Sequence, residues 1–217
     1  MREPVKPRRP YRSPRRAAQA AETRRHIITT AGLLFRDRGY SVPMAEVAAA
    51  AGVVVETLYR MFGTKAALFT AAVDAALAGG AERAETAVED RPAIHAIRAG
   101  SDPRRQVALY ARTQPGIHRR AGPLLRALRD ARATDPELGR LWAEMERGRL
   151  EGQGRFVRML ADRDALRPGL TAATATDVVW TLCSVAVYDL LVLERGWSDD
   201  RYEDWLTNVL VSELLGG

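Results

Sequence analysis

The chain has 217 residues, of which 47% are hydrophobic and 28% charged, with a formal net charge of +6. That balance supplies a buried core and excludes collagen-like or wholly disordered chains, leaving one large or two modest domains. A single cysteine, Cys183, excludes an intramolecular disulfide framework and fits a reducing cytoplasm, and no apolar run reaches membrane-spanning length. The charge is unevenly placed. Residues 1–20 hold seven bases against Glu3 alone, residues 21–70 hold six bases and four acids, and residues 71–217 carry a net −2. Positive charge gathered at one end is expected where that end meets phosphate. A solvated tail is the plainer reading of residues 1–20, and an Arg- and Ala-rich transit peptide a competing one.

Four prolines within the first fourteen residues argue against packing there, so residues 1–20 read as a basic, partly disordered arm. Ser13-Pro14 nevertheless has the form of a helix start, with Ser as N-cap and Pro in the first turn. Ile27, Ile28, Ala31, Leu34 and Phe35 recur at helical spacing and predict a buried face that ends at Gly39. Two short helices follow: Met44, Val47, Ala48 and Ala51 mark the inward side of one, and Leu58, Met61 and Phe62 that of the next. Gly52 turns the chain between them, Gly63 ends the second, and Thr64 caps a fourth helix from Lys65 into the late seventies. Gly79-Gly80 and the polar stretch to Arg91-Pro92 predict a flexible junction, which divides the chain into residues 21–80 and 81–217. Helical segments are expected near 102–114, 115–131, 135–165, 171–195 and 198–215, and no stretch alternates as a strand would. The fold class is all-α: an N-terminal three-helix helix-turn-helix domain followed by a C-terminal helical domain.

Met44 to Phe62 is therefore helix, glycine turn, and a second helix too short to stand alone. Such a pair projects its second helix outward, where it fits a DNA major groove, although a plain helical hairpin has the same pattern. The segment Ala48-Ala49-Ala50-Ala51-Gly52-Val53, then Thr57 through Leu68, resembles the DNA-binding signature of the TetR family of regulators. Thr23 to Ile27 and Phe35 to Tyr40 extend the resemblance over residues 21–70. Tyr188 to Val192, Arg195 to Ser198, Tyr202 and Trp205 are similar to an actinobacterial-style branch of that family.

The resemblance implies that residues 54–62 form a recognition helix resting on a helix-turn-helix core of Val47, Ala48, Ala51, Gly52, Leu58 and Phe62. Its DNA-facing set would be Val55, Glu56, Thr57, Tyr59 and Arg60, with Thr64 and Lys65 at the head of the fourth helix and Arg15, Arg16 and Arg24 on the first. Thr57 and Tyr59 would offer hydroxyls, and Lys65 would reach a phosphate where the helix dipole also favours an anion. Arg60 would read guanine or hold phosphate; Glu56 would accept from a cytosine amino group or stay solvated. Two residues depart from the family pattern: Val54 and Pro43 stand where capping hydroxyls are usual. The arginine-rich arm is then expected to supply affinity that those hydroxyls do not.

Residues 178–193 are apolar on nearly every side, which suits either simple core or a helix packed against a second copy. The expected dimer contacts are Val179, Ala186, Leu190 and Leu193, with Trp205, Leu206, Val209 and Leu210 on the last helix. Trp197, before a Ser198 cap, is expected to staple onto Tyr202. A homodimer would set two recognition helices one DNA turn apart on a double-stranded palindromic operator. Ligand sensing follows from the resemblance alone: Tyr110, His118, Trp142, Met145, Met159, Trp180 and Tyr188 are the candidate lining for an apolar or aromatic small-molecule effector. His26, His95, His118 and Cys183 lack metal-ligand spacing, and neither a phosphate loop nor a nucleophile elbow is present, so neither metal, cofactor nor catalysis is expected. A helical ligand or protein-interaction module without specific DNA binding is the alternative.

Overall fold

Pro14 opens the first helix, α1 (Pro14–Arg38), at a position whose N–H would lack an intrahelical partner anyway. The computed structural model describes residues 14–133 and 135–216, and every regular element among them is helical. Ser13 and the arm bases Arg2, Lys6, Arg8, Arg9 and Arg12 lie outside the described residues, whereas Arg15 and Arg16 are exposed on the first turns of α1. The helix start expected at Ser13-Pro14 is thus found at Pro14, so the part of the basic arm from residue 14 to residue 20 belongs to a 25-residue helix. Gly39, at φ +74°, ends it where sequence analysis placed the stop.

Helices α2 (Met44–Ala50), α3 (Val55–Phe62) and α4 (Lys65–Ala78) follow with short connections, and α4 stops at left-handed Gly79. The junction expected after Gly80 is instead structured: α5 (Ala81–Ala84), a 3-10 turn at Val88–Asp90, and α6 (Pro92–Ala99). Ala81 is buried, and Arg25 on α1 pairs with Glu85 at 3.3 Å, which fastens this stretch to the first helix.

The long helix α7 (Pro103–Ala131) runs through Pro115 and Pro123, where two separate helices were expected at the first of these. A proline inside a helix removes one N–H and crowds the preceding turn. The Ala111 carbonyl thereby loses its usual N–H partner, while one residue earlier the Tyr110 carbonyl also accepts from the Thr113 hydroxyl at 2.7 Å and the Gln114 side-chain amide at 3.4 Å. Helix α8 (Pro136–Ala161) returns antiparallel, capped by Asp135. The expected single helix over 171–195 is broken in three: α9 (Ala172–Leu182), α10 (Val185–Tyr188) and a π-helical turn at Asp189–Glu194. Ser184 causes the break by taking an N-cap, its hydroxyl accepting from Val187 N–H. Helix α11 (Asp199–Leu215) closes the described chain, capped by Ser198. Trp197 meets Trp205 edge-on at 6.1 Å, with Arg201 over its other side at 4.1 Å, so the expected staple onto Tyr202 is made one turn further along.

Two cores hold these helices. The first gathers Ile27, Phe35, Val47, Leu58 and Phe69 from α1–α4, and it also takes Leu124 and Leu128 from α7 and Leu138 and Leu141 from α8. The second gathers Val107, Val157, Leu160, Val179, Tyr202, Leu206 and Leu210 from the far halves of α7 and α8 with α9 and α11. The long helices therefore belong to both. No single described helix is long and apolar enough to cross a membrane.

Candidate nucleic-acid interface

Helices α2 and α3 are seven and eight residues long and owe their helicity to packing. Val47, Ala48 and Ala51 bury one side of α2, Leu58 buries the centre of α3, and Phe62 packs half-buried at its end. Gly52, exposed at φ +64°, makes the turn between them. A second glycine, Gly63 at φ +75°, then swings the chain through 74° from α3 into α4. An L side chain at that φ is strained, so the corner needs glycine.

This geometry leaves α3 with an outward face of Val54 at its head, then Glu56, Tyr59 and Arg60, with Thr57 half-buried beside them. Val54 is 65% exposed and Tyr59 is 51% exposed, unusual values for large apolar and aromatic side chains without a partner. Among the described residues no hydrogen bond engages the Thr57 or Tyr59 hydroxyl. Both expected missing caps are observed, since neither Pro43 nor Val54 makes a side-chain bond to its helix. Val55, half-buried like Thr57, also packs against the first core.

The flanking positions are more constrained than expected. Arg24 is exposed, yet its guanidinium donates to the Met61 carbonyl at 3.3 Å and lies 4.4 Å from the Phe62 ring centre. It clamps the C-terminal end of α3, where a cation also suits the helix dipole. Lys65 rests over the Tyr40 ring at 4.4 Å, and burial lowers its pKa. Tyr40 itself is pushed up to about 12 by burial, with Glu137 and Asp135 adding to it. The Thr64 hydroxyl accepts from Ala67 N–H at 3.1 Å, which caps α4 and leaves its proton to donate outward.

The candidate effector residues divide between the two cores. Trp142 and Met145 pack against the first core, Trp142 under the Arg132 guanidinium, and so stand apart from the rest. Trp180 is half-buried beneath Arg149, which also donates to its carbonyl. Tyr110, His118, Met159 and Tyr188 do share the second core or its edge. Tyr110 stacks on Phe156 at 4.1 Å, and His118 stacks on Tyr188 at 4.9 Å with Tyr202 edge-on at 6.2 Å. Both His118 ring nitrogens, the Tyr202 hydroxyl and the Gln153 and Gln106 side-chain oxygens are buried without a hydrogen-bond partner. Burial drives the His118 pKa down to about 4, aided by Arg149 and Arg126. The buried glutamines are not among the sequence candidates; the one signal for them is that Gln114 and His118 fall on the apolar stripe of α7 set by Val107, Ala111 and Ala121.

The candidate dimer residues divide as well. Ala186, Leu190 and Leu193 are exposed, the two leucines by more than half, and Trp205 and Val209 are half-buried. Val179, Leu206 and Leu210 are fully buried inside the protomer and have no surface to offer.

An outward short helix behind a glycine turn, carried on a bundle of long helices, is the architecture of helix-turn-helix transcriptional regulators. More narrowly, residues 27–72 match the family of bacterial regulatory proteins named tetR, so the chain carries a TetR-family N-terminal domain. Its whole fold is that of TetR-family regulators. A Mesorhizobium loti structure described as a TetR-family transcriptional regulator superposes with TM-score 0.67 at 21% identity, over 90% of this chain and 98% of that one. NalD of Pseudomonas aeruginosa, the secondary repressor of the MexAB-OprM multidrug efflux pump, gives TM-score 0.65 at 20% identity over 91% and 98%. FadR of Bacillus subtilis, solved with stearoyl-CoA, gives 0.67 at 17% identity over 87% and 97%. No curated protein sequence matches the chain.

Proposed function

We propose that the protein is a ligand-released transcriptional repressor that binds a palindromic operator as a homodimer. The observation that carries this reading is the outward face of α3, where Thr57, Tyr59 and Arg60 stand free above a buried Leu58 within a TetR-family domain. Hydroxyls and a guanidinium at that spacing suit phosphate oxygens and base edges. The basic arm adds phosphate contacts beside the groove and offsets the hydroxyls missing at Val54 and Pro43. Exposed Leu190 and Leu193, with Ala186, Trp205 and Val209, form the apolar face on which the second copy packs. The similarity of Tyr188 to Val192, Arg195 to Ser198, Tyr202 and Trp205 supports an actinobacterial-style branch of the family as part of this reading.

The effector site of this reading lies in the second core around Tyr110, His118, Tyr188 and Met159, joined by Gln153 and Tyr202. Unpartnered polar atoms among aromatic rings are what an apolar or aromatic ligand with one or two polar groups would use. NalD as a repressor and the stearoyl-CoA held by FadR agree with release by an apolar effector.

A duplex-shift titration on the DNA upstream of the protein's own coding sequence tests the proposal. Expected are saturable binding to a palindrome that scrambled duplex does not compete for, and a steep salt dependence that flattens when residues 1–12 are deleted. Binding blind to sequence would favour the alternative, a TetR-like module without an operator, for which exposed Glu56 on α3 and the two missing caps are the motivating observations.

A further inference from the structure

At the end of the molecule away from α3, a cleft of about 540 Å³ is lined by Arg98, Arg155, Arg158 and Arg163, with Asp162 the only acid and Met159 its apolar part. Arg155 and Arg158 lie one turn apart along a single face of α8, and Asp162, its C-cap, follows one turn further on. Arg98 stands in the last turn of α6 across from them. Arg163 is fixed in place: its guanidinium donates to the Gly100 carbonyl at 2.6 Å and the Arg98 carbonyl at 3.3 Å, closing the end of α6. Arg155 approaches Glu89 only at 3.9 Å, and Arg98 and Arg158 have no carboxylate partner among the described residues.

Operator binding does not account for this charge. Leu138 on α8 packs in the core of the helix-turn-helix, and Arg158 lies twenty residues further along the same helix, about 30 Å away at 1.5 Å per residue. Residues 71–217 are net negative, so the cleft is a local reversal of sign within them. Guanidinium groups pair with phosphate oxygens through two parallel N–H donors, and a prefixed fork such as Arg163 loses little freedom on binding. We infer that this arginine cleft between α6 and the end of α8 is a binding site for a small soluble diphosphate ester, remote from the α3 face and bordering the aromatic core only through Met159. Four cations against Asp162 and the distant Glu89 match the two to three negative charges of that group. Met159 gives the organic part an apolar seat.

Isothermal titration calorimetry of the full chain with ADP, inorganic pyrophosphate and adenosine tests this without any DNA. Binding of ADP and pyrophosphate but not adenosine is expected, weakened at least tenfold in the Arg98→Gln/Arg158→Gln variant and tightened severalfold in Asp162→Asn. Circular dichroism melts identify any variant that has not folded, and Asp162→Asn then decides alone, because screening leaves a severalfold gain only for an anion bound beside that carboxylate. Failure of either probe to bind, or binding equal in all three proteins, overturns the site, the latter by showing that the contact lies elsewhere on the chain. If the double variant loses duplex DNA in step with pyrophosphate, the cleft is a nucleic-acid contact and the proposal falls. Because the readout is direct binding, a chain that lacked an operator would leave this result unaffected.

Discussion

Val54 occupies the N-cap of α3 with no side-chain acceptor for the first-turn N–H groups. Replacing it with serine supplies that acceptor and stabilises by about 1 kcal/mol, roughly 2–4 °C in a chain of this size. Differential scanning calorimetry of Val54→Ser checks the gain, and no change in melting temperature would mean that packing of Val54 offsets the lost cap. His118 gives a second residue-scale expectation. Its folded pKa lies near 4 against 6.5 for the free side chain, because burial disfavours the charged ring. Between those values the unfolded chain takes up a proton that the folded chain refuses, so stability falls as pH drops from 6.5 towards 4 and levels off below. The full effect is about 3 kcal/mol. In His118→Phe, which keeps the stacking on Tyr188, chemical denaturation should show that much less acid sensitivity across the same window.

At the scale of elements, α3 is held by its ends as much as by its centre. Arg24 reaches across from α1 to the Met61 carbonyl and the Phe62 ring, so Arg24→Ala should cost about 1 kcal/mol of stability and weaken operator binding together. A pure phosphate contact would lose affinity with its melting temperature intact, and parallel melting and anisotropy measurements separate the two. The helices were legible in sequence wherever a cap or glycine punctuates a strong apolar period: Gly39, Gly63, Thr64 and Gly79 end or begin elements as expected. Punctuation misled where tertiary packing overrode it. Pro115 does not stop α7, whose buried Val107, Ala111, Ala121 and Leu124 hold the helix in the cores on both sides of it, whereas Ser184, which carries no such warning, breaks α9 from α10. Among site residues, those on α3 were readable because exposure follows from a short amphipathic period. The positions of Trp142 and Trp180 were not readable, since helical spacing does not say which of two cores a long helix faces at a given turn.

For the whole molecule, the exposed leucines of the π-helical turn are decisive. Placing carboxylates at both, in Leu190→Glu/Leu193→Glu, would bury unpaired charge in the proposed dimer face. Sedimentation velocity should then report half the wild-type mass with an unchanged helical spectrum, and operator binding should lose its cooperative step. A mass unchanged by both substitutions would move the interface elsewhere on the surface.

The first core does not end where α4 does. Leu124, Leu128, Leu138 and Leu141 complete it from the second half of the chain, in one cluster with Phe69 and Val73. A fragment cut at Gly80 would carry its part of that cluster bare to water, and a graft of residues 14–80 onto another regulator's body would meet side chains shaped for different neighbours. The reading head of this protein is thus not an interchangeable cartridge. The helix-turn-helix and the body that carries it are fitted to each other through apolar contacts across the seam between α4, α7 and α8.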